Sequence, residues 1–148
     1  MNYGHGDTSL LAFRQHSHPD CFVCGQTGGC GLGLRFRVAE GGVVEASFSC
    51  EPTFEGYSGM LHGGVVCALL DGAMTNCLFA HGLEAVTEEL NVRFRRAATT
   101  GRPVTVRARL ASSAPPLHSL TAELLQDEQA VATAAGRFIE KHTMAWFT

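Results

Sequence analysis

The chain has 148 residues, of which 45% are hydrophobic and 17% are charged. This length suffices for one domain with a sizeable core and is too short for two, and the ordinary apolar content excludes a disordered chain. The 11 Lys and Arg residues against 14 Asp and Glu give a net charge of -3, so the basic excess that nucleic-acid binding requires is missing. We therefore expect one globular domain without a nucleic-acid partner.

The N-terminal part of the chain is predicted to be an irregular lead-in segment over residues 1–31, followed by the folded domain over residues 32–148. Residues 1–16 show no basic region followed by a long apolar run, so we expect no secretory signal and a cytoplasmic protein. The most apolar stretch, residues 60–83, contains His62, Asp71 and Asn76. Because such polar groups make it a poor membrane span, we also expect no membrane partner.

From Leu32 onwards the sequence shows short apolar runs that are typical of strands. Residues 32–38 and 43–49 flank Gly41-Gly42, which predicts a hairpin. Residues 62–81 are long and apolar enough for a helix that ends before Gly82. Apolar residues occupy nearly every face of this segment, so the helix is predicted to be buried on most sides.

Four more strands are predicted after the helix, at residues 86–95, 104–110, 120–124 and 130–139. In the first of them Leu90 and Val92 alternate with polar residues, and Thr87 falls on the polar face. Gly136 in the last strand is expected to let another element approach closely.

A hairpin, one long apolar helix and an antiparallel meander predict an α+β fold in which a curved antiparallel sheet wraps around a central helix. The exposed edge of such a sheet invites pairing with a second copy, so we expect a homodimer.

The central helix carries one isolated acidic residue, Asp71, the only carboxylate between Leu61 and Leu83. A buried, unpaired carboxylate destabilises a fold by several kcal/mol or shifts its pKa instead. Asp71 is therefore either a general base or nucleophile, or a residue whose helix face touches solvent or whose hydrogen bonds are satisfied in the core. The residues alone leave both interpretations open.

The helix begins with His62-Gly63-Gly64, where backbone N–H groups have no partner within the helix. Those donors and the positive end of the helix dipole suit a developing oxyanion. Gly63 and Asp71 are eight residues apart, or roughly 12 Å along a helix axis. We therefore expect the oxyanion donor of one subunit to meet the carboxylate of the other.

Two segments carry a resemblance to a known family: GYSGMLHGGVVCALLDGAM at residues 56–74 and VTEELNVRFRRAA at residues 86–98. They resemble the hotdog-fold thioesterases, specifically the PaaI-like acyl-CoA thioesterases, over about residues 21–140. The resemblance implies that Asp71 is the catalytic acid and that the Gly63 N–H polarises the thioester carbonyl. It also implies that His62 is the histidine preceding the glycine pair and that Thr87 assists the carboxylate or its water.

The resemblance implies hydrolysis of an acyl-CoA thioester, with coenzyme A as part of the substrate and no further cofactor. It also implies active sites at the subunit interface of a homodimer or a dimer of dimers, a homotetramer. Guanidinium groups pair well with phosphates, so Arg95 and Arg96, together with Gly64, are candidate contacts for coenzyme A. A hotdog hydratase or dehydratase and a non-catalytic acyl-CoA-binding hotdog protein remain the alternatives.

Cysteine and histidine residues are concentrated near the N-terminus, where Cys21, Cys24 and Cys30 follow His18. Thiolates and imidazole are suitable zinc ligands. A second C-x-x-C motif is absent, however, and a packed loop with reduced thiols explains the same residues. We expect no stoichiometric metal, with these four residues as the ligands if zinc is bound.

Overall fold

The computed structural model describes residues 3–25 and 31–145 of the chain. Its helices are α1 (Tyr3–Ser17) and α2 (Gly63–Ala80). Its strands are β1 (Arg37–Val38), β2 (Val44–Phe48), β3 (Ala85–Phe94), β4 (Val104–Ala114), β5 (Leu117–Gln126) and β6 (Gln129–Glu140). The α+β fold with a curved antiparallel sheet around a central helix is confirmed.

The six strands form one antiparallel sheet in the order β1-β2-β4-β5-β6-β3. The hairpin prediction is confirmed for β1 and β2, although β1 is shorter than the predicted run over residues 32–38. The meander prediction is correct for β4, β5 and β6 and wrong for β3, which pairs with β6 at the far edge. Alternation in a sequence indicates the faces of a strand but not its neighbours, so the position of β3 could not be read from it.

Helix α2 lies in the centre of the fold, and most of its residues from Val66 to Phe79 are buried. It is long and apolar enough to cross a membrane, but 61% of it is buried inside the protein, as in a core helix. Met74 packs on β6 at Gly136, where a Cβ atom would lie 3.1 Å from the Met74 sulfur. The predicted close approach at Gly136 is therefore confirmed.

The prediction of an irregular segment over residues 1–31 is wrong for Tyr3–Ser17, which form α1. Leu10 is buried in the same core as α2, and Phe13 stacks on Phe79 with ring centroids 6.3 Å apart. The Ser9 hydroxyl donates to the Phe79 carbonyl at 2.9 Å. Helix α1 is thus part of the domain. The sequence did not predict this helix because it contains two glycines near its start and has no clear apolar face. A helix of this kind is stabilised by tertiary packing rather than by helix propensity.

Candidate active site

Asp71 lies in the middle of α2 and faces the edge strand β3. Its Oδ1 atom accepts a hydrogen bond of 2.6 Å from the Thr87 hydroxyl. The carboxylate is partly buried in the otherwise uncharged surface of the helix. The structure therefore brings together two of the residues that the sequence singled out, and the Thr87 bond orients the carboxylate.

The contact depends on a β-bulge at Glu88. Thr87 pairs with Phe138 and Glu89 with the adjacent residue of β6, so no residue of β6 lies opposite Glu88 in the strand register. The extra residue reverses the alternation, and Thr87 shares the helix-facing side of β3 with Leu90. The prediction that Thr87 lies on the polar face is therefore wrong. Simple alternation assumes an unbroken ladder, and nothing in the local sequence marks the extra residue.

Burial raises the pKa of Asp71 above the ordinary value for an aspartate. The hydrogen bond from Thr87 acts in the opposite direction, because it stabilises the charged form. The negative charge of Cys21 also raises this pKa, and His18 lowers it. The carboxylate is thus more basic than a solvent-exposed one, which suits a proton acceptor.

The start of α2 is fixed by its capping residue, His62, whose Nδ1 atom accepts a 2.8 Å hydrogen bond from the Gly64 N–H. The Gly64 amide is therefore already engaged. Gly63 is the first helical residue, and its amide finds no acceptor within the part of the chain that the structure describes. Gly63 also lines a cavity, so its N–H is the donor available to a bound molecule.

That cavity has a volume of about 680 Å³ and lies at the N-terminal end of α2. Its lining residues are Gly56, Tyr57, Met60, Leu61, His62, Gly63, Val66, Phe94, Arg95, Arg96, Ala97, Ala98, Val131 and Ala132. Both predicted arginines therefore reach the same space as Gly63, whereas Gly64 is not part of the lining. The sequence did not single out the apolar lining, because alternation put Phe94 on the apolar face of its strand, which predicts burial, whereas its side chain is 57% exposed.

Asp71 is absent from the lining of this cavity. It lies eight residues further along the same helix, roughly 12 Å from Gly63 along the axis. Within a single chain, the Gly63 amide and the Asp71 carboxylate are therefore separated. Because Asp71 is bound to β3, the edge strand of the sheet, a second copy placed along that edge would be able to approach it.

The N-terminal cysteines lie close to α2. Among the described residues, His18, Cys21 and Cys24 have their potential ligand atoms within 4.8 Å of one another; Cys30 lies outside the described residues. A hydrogen bond from the Cys24 thiol, with others from His18 and the Val23 N–H, holds the pKa of the Cys21 thiol well below its usual range. The bond to Cys21, together with burial, raises the pKa of Cys24.

Val23 packs directly on α2 at Gly72, where a Cβ atom would lie 2.6 Å from a Val23 methyl carbon. We expect Gly72→Ala to destabilise the protein by about 1–3 kcal/mol through overpacking. The same change in an unobstructed helix interior stabilises by up to about 1 kcal/mol. Thermal and urea unfolding of the purified variant measure the difference.

The matched control for that substitution is Val23→Ala, which removes the methyl groups that the introduced methyl would strike. In this background Gly72→Ala should cost less than in the wild type. Equal costs in the two backgrounds would show that the contact between Val23 and Gly72 does not determine the residue at position 72.

The chain was compared with models of protein families and with curated protein sequences. The family model of the thioesterase superfamily matches residues 58–133, about half of the chain. A search of curated protein sequences found no match.

Many solved structures have a similar fold, and they include the following three. A phenylacetic acid degradation-related protein from Ralstonia eutropha JMP134 is 27% identical with a TM-score of 0.72, over 88% of this chain and 98% of that one. The Escherichia coli PaaI protein of the phenylacetic acid degradation operon is 18% identical with a TM-score of 0.78, over 95% and 96%. A Streptococcus mutans UA159 protein bound to acetyl CoA is 19% identical with a TM-score of 0.68, over 73% and 88%.

Proposed function

Because the chain belongs to the thioesterase superfamily and has the hotdog fold of the PaaI-like members, we propose that it hydrolyses acyl-CoA thioesters. The products are a carboxylic acid and coenzyme A. The observation that carries the proposal is the Asp71 carboxylate, half-buried on the central helix and held by the Thr87 hydroxyl. A half-buried carboxylate lowers the stability of the folded protein, and a catalytic role in the proposed reaction explains its presence on the central helix.

Asp71 acts on the carbonyl carbon of the thioester in one of two ways. As a general base it takes a proton from water while the water oxygen attacks that carbon. As a nucleophile it attacks the carbon itself and forms an anhydride, which water then hydrolyses. In both routes the carbon–sulfur bond breaks, the thiolate of coenzyme A leaves, and it ends as the protonated thiol.

The carbonyl oxygen gains negative charge during either attack, and the start of α2 provides the group that stabilises it. Gly63 lines the cavity and its N–H has no protein acceptor among the described residues, and the helix dipole adds positive potential there. His62 keeps its imidazole bound to the Gly64 amide. This bond fixes the first turn and so positions the Gly63 donor.

The cavity beside Gly63 accommodates the substrate. Its lining is mostly apolar, which suits the acyl chain or the pantetheine arm, and Arg95 and Arg96 offer positive charge to the phosphates of coenzyme A. Both backbone amides of these arginines donate to the Val131 carbonyl, at 2.8 and 3.2 Å, which fixes their position at the end of β3. The acetyl CoA in the S. mutans neighbour supports this class of substrate.

We further propose that each active site is shared between two copies of the chain. The carboxylate lies beside the edge strand β3 and the oxyanion donor lies in a cavity that excludes it. Pairing of two copies along β3 in a closed two-fold dimer would bring Gly63 of one chain towards Asp71 of the other.

Incubation of the purified protein with a panel of acyl-CoAs, with detection of free thiol, tests the proposed reaction. Thiol release by the wild type and its loss in Asp71→Asn are the expected results. Consumption of an enoyl-CoA or hydroxyacyl-CoA without thiol release would identify a hydratase or dehydratase instead. Saturable binding of acyl-CoA with no turnover would identify a binding protein.

The pH at which kcat/KM falls on the acidic side should depend on the hydrogen bond between Thr87 and Asp71. Thr87→Val keeps the shape of the side chain and removes the hydroxyl that lowers the pKa of Asp71. Since the base acts when deprotonated, the fall of kcat/KM on the acidic side should move to higher pH in the variant. Measuring kcat/KM against pH for both proteins tests this.

A matched change for this experiment is Thr87→Ser, which retains a hydroxyl and should leave the acid limb near that of the wild type. A uniform loss of kcat/KM in Thr87→Val with an unmoved limb would show that Thr87 contributes only packing.

A further inference from the structure

The cluster formed by His18, Cys21 and Cys24 has nearly the spacing of a metal site. The Cys24 sulfur lies 3.9 Å from His18 Nδ1, and the potential ligand atoms of the three residues all lie within 4.8 Å of one another. Tetrahedral zinc separates a sulfur from a nitrogen ligand by roughly 3.5 Å and two sulfurs by roughly 3.8 Å. Contraction by about 1 Å or less would complete the geometry.

The backbone between the two cysteines is already folded into a tight turn that holds both thiols together. The Val23 N–H donates to the Cys21 sulfur at 3.4 Å, and the Gly25 N–H donates to the Cys21 carbonyl at 2.7 Å. A Cβ at Gly25 would lie 2.5 Å from that carbonyl oxygen. The turn therefore requires glycine after the second cysteine, and one of its amides is directed at a sulfur atom.

Three hydrogen bonds from other parts of the chain hold this turn in place. The Leu32 and Leu34 amides donate to the Phe22 and Val23 carbonyls at 2.7 and 2.9 Å. The buried Arg14 side chain donates to the Cys24 carbonyl at 3.2 Å. The two thiols are thus fixed before any ion binds, which lowers the entropic cost of binding.

His18 is held in place by its position after α1 and by an aromatic contact. It directly follows α1, and its ring stands edge-on to Phe79 with centroids 5.0 Å apart. Cys50, Cys67 and Cys77, the other cysteines of the described chain, take no part in the cluster. The grouping of imidazole and thiols therefore belongs to this one turn and the end of α1.

In contrast to the expectation from the sequence, we propose that His18, Cys21 and Cys24 bind one divalent transition-metal ion of the zinc class, with a remaining coordination position for water or another donor. Two thiolates and an imidazole select such an ion over magnesium or calcium, which prefer oxygen ligands. The ion joins the end of α1 to a turn that packs, through Val23, on Gly72 of α2. Gly72 is adjacent to Asp71, so the metal site would support the part of α2 that carries this residue of the proposed active site.

Metal binding by the reduced protein tests the inference independently of activity. The purified chain, kept in a phosphine reductant and freed of metal by dialysis against a chelator, is titrated with Zn²⁺ and with Co²⁺. We expect saturation at one ion per chain, a thiolate-to-cobalt charge-transfer band and the visible absorption of tetrahedral Co²⁺. Displacement of Co²⁺ by Zn²⁺ should abolish both spectral features.

Substitutions locate the site. Cys21→Ser should weaken Zn²⁺ binding by at least about 10-fold, the size of effect that even outer-shell changes have, and should reduce the charge-transfer band. Cys67→Ser, which alters a cysteine of α2 outside the cluster, is the matched control and should bind as the wild type does. Circular dichroism of both variants shows whether the fold is retained.

Three results would overturn the proposal. They are the absence of metal uptake by the reduced wild type, a charge-transfer band that Cys21→Ser leaves unchanged, and equal weakening in Cys67→Ser. Rapid air oxidation to a Cys21–Cys24 disulfide in a chain that takes up no metal would assign the pair to thiol chemistry instead. The wild-type titration decides the question even if the cysteine variants fail to fold.

Discussion

Replacing Asp71 with Asn is expected to lower kcat for thioester hydrolysis by about 10²- to 10⁴-fold, the usual contribution of a general base. Asparagine has the same shape and can still accept the hydrogen bond from Thr87, so the site should keep its geometry. The amide can neither take a proton from water nor form an anhydride. Steady-state kinetics with the best substrate of the acyl-CoA panel measure the loss.

The same substitution should make the protein more stable at neutral pH. Burial raises the pKa of Asp71 in the folded state above its unfolded value of 3.8, so the folded state binds more protons between those two pKa values. Stability contributed by this group therefore falls as pH rises through that window and remains lower above it. Asparagine removes the buried charge, and thermal unfolding at pH 7 should show a higher Tm.

Asp127→Asn is a suitable control for both effects. Asp127 is an exposed carboxylate in the turn between β5 and β6, far along the sequence from α2, with a positive φ of 51° that asparagine tolerates. Its ion pair with Arg102 is exposed and contributes little. If Asp71→Asn turned over substrate at the wild-type rate, Asp71 would not be the catalytic residue. If its Tm were lower than that of the wild type, burial of the Asp71 charge would not destabilise the fold.

Mixing two inactive variants, Asp71→Asn and Gly63→Pro, should restore about one quarter of the wild-type activity per total site. Proline removes the N–H that we propose as oxyanion donor, and it is tolerated in the first turn of a helix. The preceding residue, His62, already has φ -60° and ψ 134°, a conformation that proline allows. The fold should therefore survive, although hydrolysis by either variant alone should be lost.

The recovery follows from the separation of Gly63 and Asp71 on one helix. In a mixed dimer one site combines both lesions, and the other combines an intact Gly63 with an intact Asp71. Random exchange makes about half of the dimers mixed, and half of their sites function, which gives the expected quarter. Mass spectrometry confirms that subunits have exchanged. Complete exchange without recovery would show that both groups of each site come from the same chain.

The sequence was sufficient to predict those parts of the fold in which the local residue pattern agrees with the tertiary structure. Helix α2 lies within one residue of its predicted ends because His62 and His81 cap it. The central strands β4 and β5 were located correctly, although both are longer than predicted, because one of their faces is buried and alternation is visible there. The glycine pair at a helix start also pointed to an unpaired amide at Gly63, since unpaired amides at that position follow from helix geometry.

Other features depend on contacts between distant segments and left no local signal. Residues 32–36 were predicted as strand, but the Leu32 and Leu34 amides bond to the turn that contains Cys21 and Cys24. Helix α1 is stabilised by its packing on α2. In both cases the partner is a segment that sequence periodicity cannot identify.

The bulge in β3 determines which kinds of mutation this strand tolerates. The side of the sheet on which Thr87 emerges depends on the presence of one extra residue in the strand register, Glu88, rather than on the chemistry of that residue. Most substitutions of Glu88 would therefore leave the hydroxyl beside Asp71. Removal of one codon would restore regular alternation and turn Thr87 away from the helix. The contact between Thr87 and Asp71 therefore depends on the number of residues in β3 more than on the side chain at position 88.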